Sequence, residues 1–388
     1  MNMTKNYVER VIRKPRNSFF LLGPRGTGKS TWLRAQFPEA HTLNLLSEEL
    51  YQRLLANPGL FAAELAAVPS DRWVVVDEVQ RLPNLLNEAH RLIEEQGRRF
   101  VLCGSSARKL KRAGVNLLAG RALRRIMHPF VPAELGQRFD LEAALQWGLL
   151  PLVWGSADRT ETLATYGQLY LKEEIQAEAL VRNLPGFARF LPIAALFHGQ
   201  TLNVSNIARE AGVARTTVTG YLGILEETLL CFRLPGYEAK LRLRERRHPK
   251  WYWCDPGIVR AMRRTNGALS PEERGALFEG LIAQLLRAYR DYDGLFDEDF
   301  YWAPEQARRT EVDFLLARGQ EFVAIEVKSG AVFSEQWCRG LRAIVALKGL
   351  RRRLVVYPRG PALRTRDGID VLPFSDFADV LASGSLWP

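Results

Sequence analysis

The sequence predicts an α/β chain built around a parallel β-sheet, and three observations predict it. Gly23-Pro24-Arg25-Gly26-Thr27-Gly28-Lys29-Ser30 spells G-x-x-x-x-G-K-S, set between an apolar run and a segment free of Pro and Gly. From about Asn17 to Glu134 short apolar runs alternate with helical segments, as in a sheet covered by helices. Trp73-Val74-Val75-Val76-Asp77-Glu78 closes a β-branched run on two acids.

At 388 residues, with 47% hydrophobic and 25% charged residues, the chain can bury a core. At roughly 100–200 residues per domain it holds two to four domains. Lys and Arg exceed Asp and Glu by 54 to 43, a net charge of +11. An acidic partner is implied, nucleic acid first and an anionic membrane surface second. Cys103, Cys231, Cys254 and Cys338 are scattered without a C-x-x-C pair, which suggests neither zinc nor a disulfide framework. Met1 to Arg16 lacks the apolar core of a signal peptide, and uncharged Ala143 to Ala157 is too short to span a bilayer. A cytoplasmic protein without a membrane segment is expected.

In chain order, the first candidate strand is Phe19–Leu22. The glycines after it let the backbone wrap closely around phosphates, and N–H groups at the start of the next helix face the anion. Lys29 reaches the β- and γ-phosphates, Ser30 offers its hydroxyl to Mg²⁺, and Thr31 completes the binding run Gly23–Thr31. Further strands are expected at Thr42–Leu45, Trp73–Asp77, Phe100–Gly104 and Leu123–Met127. Asp77, at the carboxyl end of its strand, would hold the metal's shell, and Glu78 would polarise the attacking water. Ser105 and Ser106 come after the fourth strand. They either sense the γ-phosphate or cap the next helix, and the residues alone leave both readings open.

The loop, V-V-V-D-E-V-Q-R-L-P, C-G-S-S and L-A-G-R-A together resemble the AAA+-type ATPases of bacteria and archaea that end in a nuclease-like domain, the group carrying domain of unknown function 4143. The resemblance implies ATP and Mg²⁺ as cofactors, and whether the subunits stay single or assemble into a homo-oligomer such as a ring is left open. It places Leu118-Ala119-Gly120-Arg121-Ala122 before the last core strand. Arg121 then either stabilises transition-state charge, in cis or across a subunit boundary, or braces a loop. From Arg98 to Arg125 stand nine basic residues and no acid, either a solvated face or a phosphate-backbone track.

Between 135 and 189 the chain turns helical. Tyr166, Leu169, Tyr170 and Ile175 fall near helical spacing, with Lys172-Glu173-Glu174 outward, as in a lid over the nucleotide. From 190 to 250 the pattern is a helix Phe190–His198, a second through Asn203–Val213 with a glycine turn, a third at Arg215–Leu225 and a strand at Leu230–Leu234. That order describes a winged helix-turn-helix. The third helix would present Arg215, Thr216, Thr219 and Tyr221 to DNA. Lys240, Arg242 and Arg244 begin a basic run to Lys250 that suits a wing along a phosphate backbone. A spacer role without DNA contact stands beside this reading.

After Trp251-Tyr252-Trp253-Cys254-Asp255, which resembles that family's lysine–tyrosine–aspartate strand, comes a helix from Pro271 through Arg290 carrying Glu279. Strands with Asp313 and with Glu326-Val327-Lys328 succeed it, then a helix from about Ser334. The arrangement resembles PD-(D/E)XK nucleases, with Val312 in place of the expected Pro. By that resemblance Asp313 and Glu326, helped by Glu279, would coordinate Mg²⁺ while Lys328 activates water. A scaffold that docks a partner without cleaving is equally compatible.

The expected architecture is an AAA+ P-loop core (1–134), a helical lid (135–189), a winged helix (190–250) and a nuclease-like α/β domain (251–388). Three functions fit it: an ATPase coupled to DNA, acting on branched structures in repair, recombination or defence; a nucleotide-dependent switch for a protein partner, with an inactive nuclease-like domain; or a toxin-like nuclease restrained by the ATPase.

Overall fold

Side-chain alternation along one buried strand separates the layers of the first unit. In the computed structural model, which describes residues 7–105, 122–169, 181, 183–238, 248–265, 267–304 and 310–388, this unit comprises residues up to His128 together with Ile224–Leu230. Strand β1 (Phe19–Leu22) turns Phe19 to one side, where its ring lies 6.3 Å from Trp32, 6.0 Å from Phe37 and 6.1 Å from Trp73. Phe20 and Leu22 turn to the other side. There they join Leu43, Phe61, Leu65, Val74, Val76, Leu86 and Phe100 in a core beneath α2 (Glu48–Ala56), α3 (Leu60–Ala66) and α4 (Leu85–Gln96).

With β2 (His41–Asn44), β3 (Val74–Asp77), β4 (Phe100–Gly104) and β5 (Leu123–Ile126), the described strands form a five-stranded parallel sheet ordered β2-β3-β4-β1-β5. The expected strand limits hold to within one residue. This order sets the carboxyl ends of β1, β3 and β4 side by side, so the loops leaving them share one edge of the sheet.

The second unit comprises Pro129–Gly223 and Cys231–Pro388. Asp140 caps α5 (Leu141–Trp147) by accepting from the Ala143 amide at 2.7 Å. Helix α6 spans Arg159–Leu169, and its Tyr166 is buried. The helix expected at Phe190–His198 instead runs Leu184–Leu196 (α7), because Asn183 accepts from the Gly186 amide at 2.9 Å and Pro185 suits the first turn. Next come strand β6 (Gln200–Thr201), α8 (Val204–Ala211) and α9 (Arg215–Glu227), with Gly212 at φ 63 closing α8. On α9 Arg215, Thr216 and Thr219 are exposed.

Tyr221 is not exposed, contrary to expectation. It continues the buried stripe of Val218, Leu222 and Leu225, packs edge-on against Phe187 at 4.9 Å, and donates its hydroxyl to the Asn183 carbonyl at 3.0 Å. Helical spacing i, i+3, i+4, i+7 puts these four on one face.

Strands β7 (Cys231–Leu234) and β8 (Lys250–Trp253) complete a three-stranded antiparallel sheet ordered β6-β8-β7. Because β8 is its central strand, that sheet continues past the border expected at 250. Helices α10 (Pro256–Arg263) and α11 (Pro271–Asp293) come next, the latter opened by a Ser270/Glu273 capping box.

A six-stranded mixed sheet ends the chain. It is ordered β13-β14-β12-β11-β10-β9 from β9 (Glu298–Trp302), β10 (Val312–Arg318), β11 (Glu321–Val327), β12 (Leu350–Tyr357), β13 (Leu363–Arg364) and β14 (Asp370–Pro373). Helix α12 (Arg339–Ala343) comes after a 3₁₀ turn where a helix was expected, and α13 is Phe374–Ser383. The expectations for Ser106, Arg121, Tyr170, Lys172-Glu173-Glu174, Ile175, Lys240, Arg242 and Arg244 lie outside the described residues. Among the described residues no helix is long and apolar enough to cross a membrane.

Candidate functional site

The loop from β1 into α1 (Lys29–Gln36) bends through Gly26 at φ 82 and Gly28 at φ 84, left-handed angles that cost glycine little. Gly23 is required for another reason: a Cβ there would meet the Met127 carbonyl oxygen at 2.4 Å. Within the loop Thr27 donates its hydroxyl to the Pro24 carbonyl at 2.8 Å. Lys29 is buried, and its ammonium donates to the Gly23 and Pro24 carbonyls at 2.7 and 3.1 Å. Arg25 and Thr31 are exposed on the rim. Arg10, which sequence reasoning missed, is also buried. It donates to the Thr27 carbonyl at 2.7 Å and to the His128 carbonyl at 2.6 Å.

Opposite the loop, Ser30 Oγ donates to Asp77 Oδ2 at 2.8 Å. A hydroxyl and a carboxylate oxygen this close form a hard-oxygen pair of the type Mg²⁺ selects, so these residues fit the expected ion. Glu78 comes next with φ 57, a left-handed angle uncommon outside glycine that turns its side chain away from the strand's own alternation. Gln80, 1% exposed, donates from one amide nitrogen to Glu78 Oε2 and to Ser105 Oγ at 3.3 Å. The motif's last residue, Arg81, donates to the Leu45 carbonyl at 2.6 Å and stacks on Tyr51 at 4.2 Å. The structure thus gathers Lys29, Ser30, Asp77, Glu78 and Ser105 at one sheet edge and adds Gln80 between the last two.

That bridge predicts an asymmetric defect. Gln80→Ala frees the Glu78 carboxylate to wander, so ATP turnover falls by about tenfold to a hundredfold while KM for ATP stays put. Steady-state phosphate release checks it, and an equal rise in KM would contradict the positioning role.

A second constellation lies in the C-terminal sheet. Asp313 of β10 and Glu326 of β11 are buried and Glu279 of α11 is half-buried, but the cation beside Glu279 and Asp313 is Lys250 of β8, another residue missed in the sequence. Its ammonium lies 3.1 Å from Glu279 Oε1, 3.2 Å from Asp313 Oδ1 and 3.4 Å from Glu311 Oε1. Tyr252, two residues along the same strand face, donates its hydroxyl to Glu279 Oε1 as well. Asp313 Oδ2 accepts from the Val327 amide at 2.9 Å, and Lys328 pairs with Glu326 Oε1 at 2.5 Å.

Burial, then the proximity of Asp313, pushes Glu279 up to about 7 and Glu326 up to about 8. Burial works against charge on Lys250, yet Glu279 and Asp313 hold it well above its ordinary value. The carboxylates expected to hold Mg²⁺, Glu279, Asp313 and Glu326, are thus each engaged by a side-chain ammonium. Among the described residues no three His, Cys, Asp or Glu side chains are gathered for a metal ion.

Comparison with known proteins divides the chain in three. Residues 15–136 match the AAA domain family, residues 138–269 a domain of unknown function (DUF8612), and residues 274–377 a domain of unknown function (DUF4143). Over 374 residues the chain is 25% identical to an uncharacterized protein of Mycobacterium tuberculosis and to one of Mycobacterium bovis, each alignment covering 94% of this chain and 81% of the relative. A Walker-type ATPase of Pyrococcus abyssi aligns at 17% identity with a TM-score of 0.44, over 63% of this chain and 90% of that one. The ORC1 protein of Aeropyrum pernix, solved in complex with DNA, aligns at 13% identity with a TM-score of 0.26, over 65% and 87%. Structural likenesses this distant carry no functional argument.

Proposed function

Because this chain is an AAA-type ATPase carrying a C-terminal DUF4143 domain, we propose that it couples ATP hydrolysis to DNA binding, on branched DNA in repair, recombination or defence. The observation that carries the catalytic half is the Ser30–Asp77 hydrogen bond beside Glu78. Lys29 binds the β- and γ-phosphates, the loop amides orient them, and Glu78 takes a proton from the attacking water. Mg²⁺, held through Ser30 and Asp77, supplies charge neutralisation at the phosphates. Gln80 links Glu78 to Ser105, which supports Ser105 as a sensor of the γ-phosphate.

The DNA half is supported by the net charge of +11 and by Arg215, Thr216 and Thr219 standing exposed on α9, in a helix–turn–helix order followed by strands β7 and β8. Thr219 spends its hydroxyl on the Arg215 carbonyl at 3.1 Å, which leaves Arg215 the stronger phosphate contact. Lys240, Arg242 and Arg244 are further DNA contacts in this reading, and Arg121 stabilises transition-state charge, in cis or across a subunit boundary.

ATP turnover measured with single-stranded, duplex and four-way-junction DNA tests the coupling. Stimulation that fades with added salt is expected, because phosphate contacts release counterions. Turnover indifferent to every DNA form would favour a second reading, a nucleotide-dependent switch for a protein partner with a non-cleaving C-terminal domain. The Lys250 contacts among the nuclease-like carboxylates favour that reading. Under both readings Lys29→Ala weakens ATP binding by about ten- to a hundredfold, the loss of charge-assisted hydrogen bonds, in a fluorescent-nucleotide titration.

A further inference from the structure

Lysine is a poor choice for the central strand of a buried sheet unless its charge is answered. Lys250 is 3% exposed, and Trp251, Tyr252 and Trp253 after it are wholly buried. Two carboxylates, Glu279 and Asp313, meet its ammonium at hydrogen-bond distance from two different elements, and Glu311 approaches from the more exposed side. The pairing is specific on the strand side too, since Tyr252 binds the same Glu279 oxygen and fixes its rotamer. Beside them Glu326 Oε2 is buried without a hydrogen-bond partner.

We propose that Lys250 is the resident cation of this cluster: its ammonium takes the place between Glu279 and Asp313 that a divalent ion would need, so the native site carries its own positive charge and excludes Mg²⁺. Two carboxylates this near one another ionise together only with a positive charge between them, and the chain supplies its own. A magnesium ion needs oxygen ligands at about 2.1 Å in octahedral array. To enter, it has to displace the ammonium and leave Lys250 charged and unpaired inside the sheet, a strongly unfavourable exchange. Removing Lys250 uncovers the Glu279 and Asp313 carboxylates as oxygen ligands for a divalent cation, whose remaining positions water fills. This inference stands on the second unit alone and does not draw on ATP turnover.

Manganese binding, measured by the electron paramagnetic resonance of free Mn²⁺ without nucleotide, tests it on the full chain. Wild-type protein and Asp313→Asn should bind Mn²⁺ equally weakly. Lys250→Met should bind it at least about tenfold tighter, as expected when ligand charge is uncovered, and Lys250→Met/Asp313→Asn should lose the gain. A folded Lys250→Met that gains nothing overturns the proposal. Should that variant fail to fold, the comparison of wild type with Asp313→Asn still decides. Mn²⁺ affinity, or Mg²⁺-dependent DNA cleavage, that is present in wild type and lost in Asp313→Asn rejects the resident-lysine account; indifference to the substitution supports it.

Discussion

Glu78→Gln is expected to bind ATP as tightly as the wild type while turnover falls by about 10²–10⁴-fold, the range for losing a positioned general base. The substitution keeps shape and removes only proton affinity. Glu78 lies beyond the loop that grips phosphate, and the loop's own bonds, from Thr27 and Lys29 to the Pro24 carbonyl, do not involve it. Ser30 and Asp77 also remain as they are. The left-handed backbone at residue 78 is no harder for glutamine than for glutamate, so folding should not intervene. Nucleotide titration together with single-turnover phosphate release separates the two effects. A variant that loses binding along with turnover, or keeps both, would remove Glu78 from the role assigned to it.

Asp255→Ala should cost the second unit about 3 kcal/mol of stability, combining an unsatisfied buried amide with a lost helix cap. Asp255 is wholly buried, and its two oxygens serve two helices. Oδ2 accepts from the Leu149 amide at 2.6 Å, just past the end of α5, and Oδ1 accepts from Ile258 at 3.2 Å in the first turn of α10. The junction has no slack. A Cβ on Gly148 would meet Asp255 Oδ1 at 1.8 Å, and one on Gly257 would meet the Trp147 carbonyl at 2.1 Å. Alanine leaves both amides dry and opens a small void, whereas a surface control such as Thr216→Ala should fall within about ±0.5 kcal/mol. Urea unfolding of the intact chain, with the second unit's tryptophans as reporters, measures the difference. A loss no larger than the control's would mean that water serves the Leu149 amide.

The nucleotide unit was legible because its signals are local: a strand, a glycine loop and a helix in succession, and a β-branched run ending in acids. Strand limits came out to within a residue for the same reason, since burial and sheet period act over a few neighbours. Residues whose meaning depends on distant partners were not legible. Lys250 was visible only as the last cation of a basic run and was read toward DNA, whereas its partners lie on α11 and β10 and it faces inward. Gln80 stood inside a recognised motif, but nothing adjacent to it reveals that Ser105 is within reach. Tyr221 is different: its stripe with Val218, Leu222 and Leu225 was present in the sequence, and helical phase alone would have buried it.

Arg10 gives the nucleotide unit a property that no motif announces. A single guanidinium grips the phosphate loop at Thr27 and the last peptide of that unit's first segment at His128. The planar fork keeps its two nitrogens at fixed separation, so the carbonyls it joins travel together. The phosphate loop and the backbone at His128 are therefore held in one fixed relation by a residue outside every recognised motif. The unremarkable polar stretch ahead of the first strand thus acts as a rein within the nucleotide unit, holding the phosphate loop to the backbone at His128.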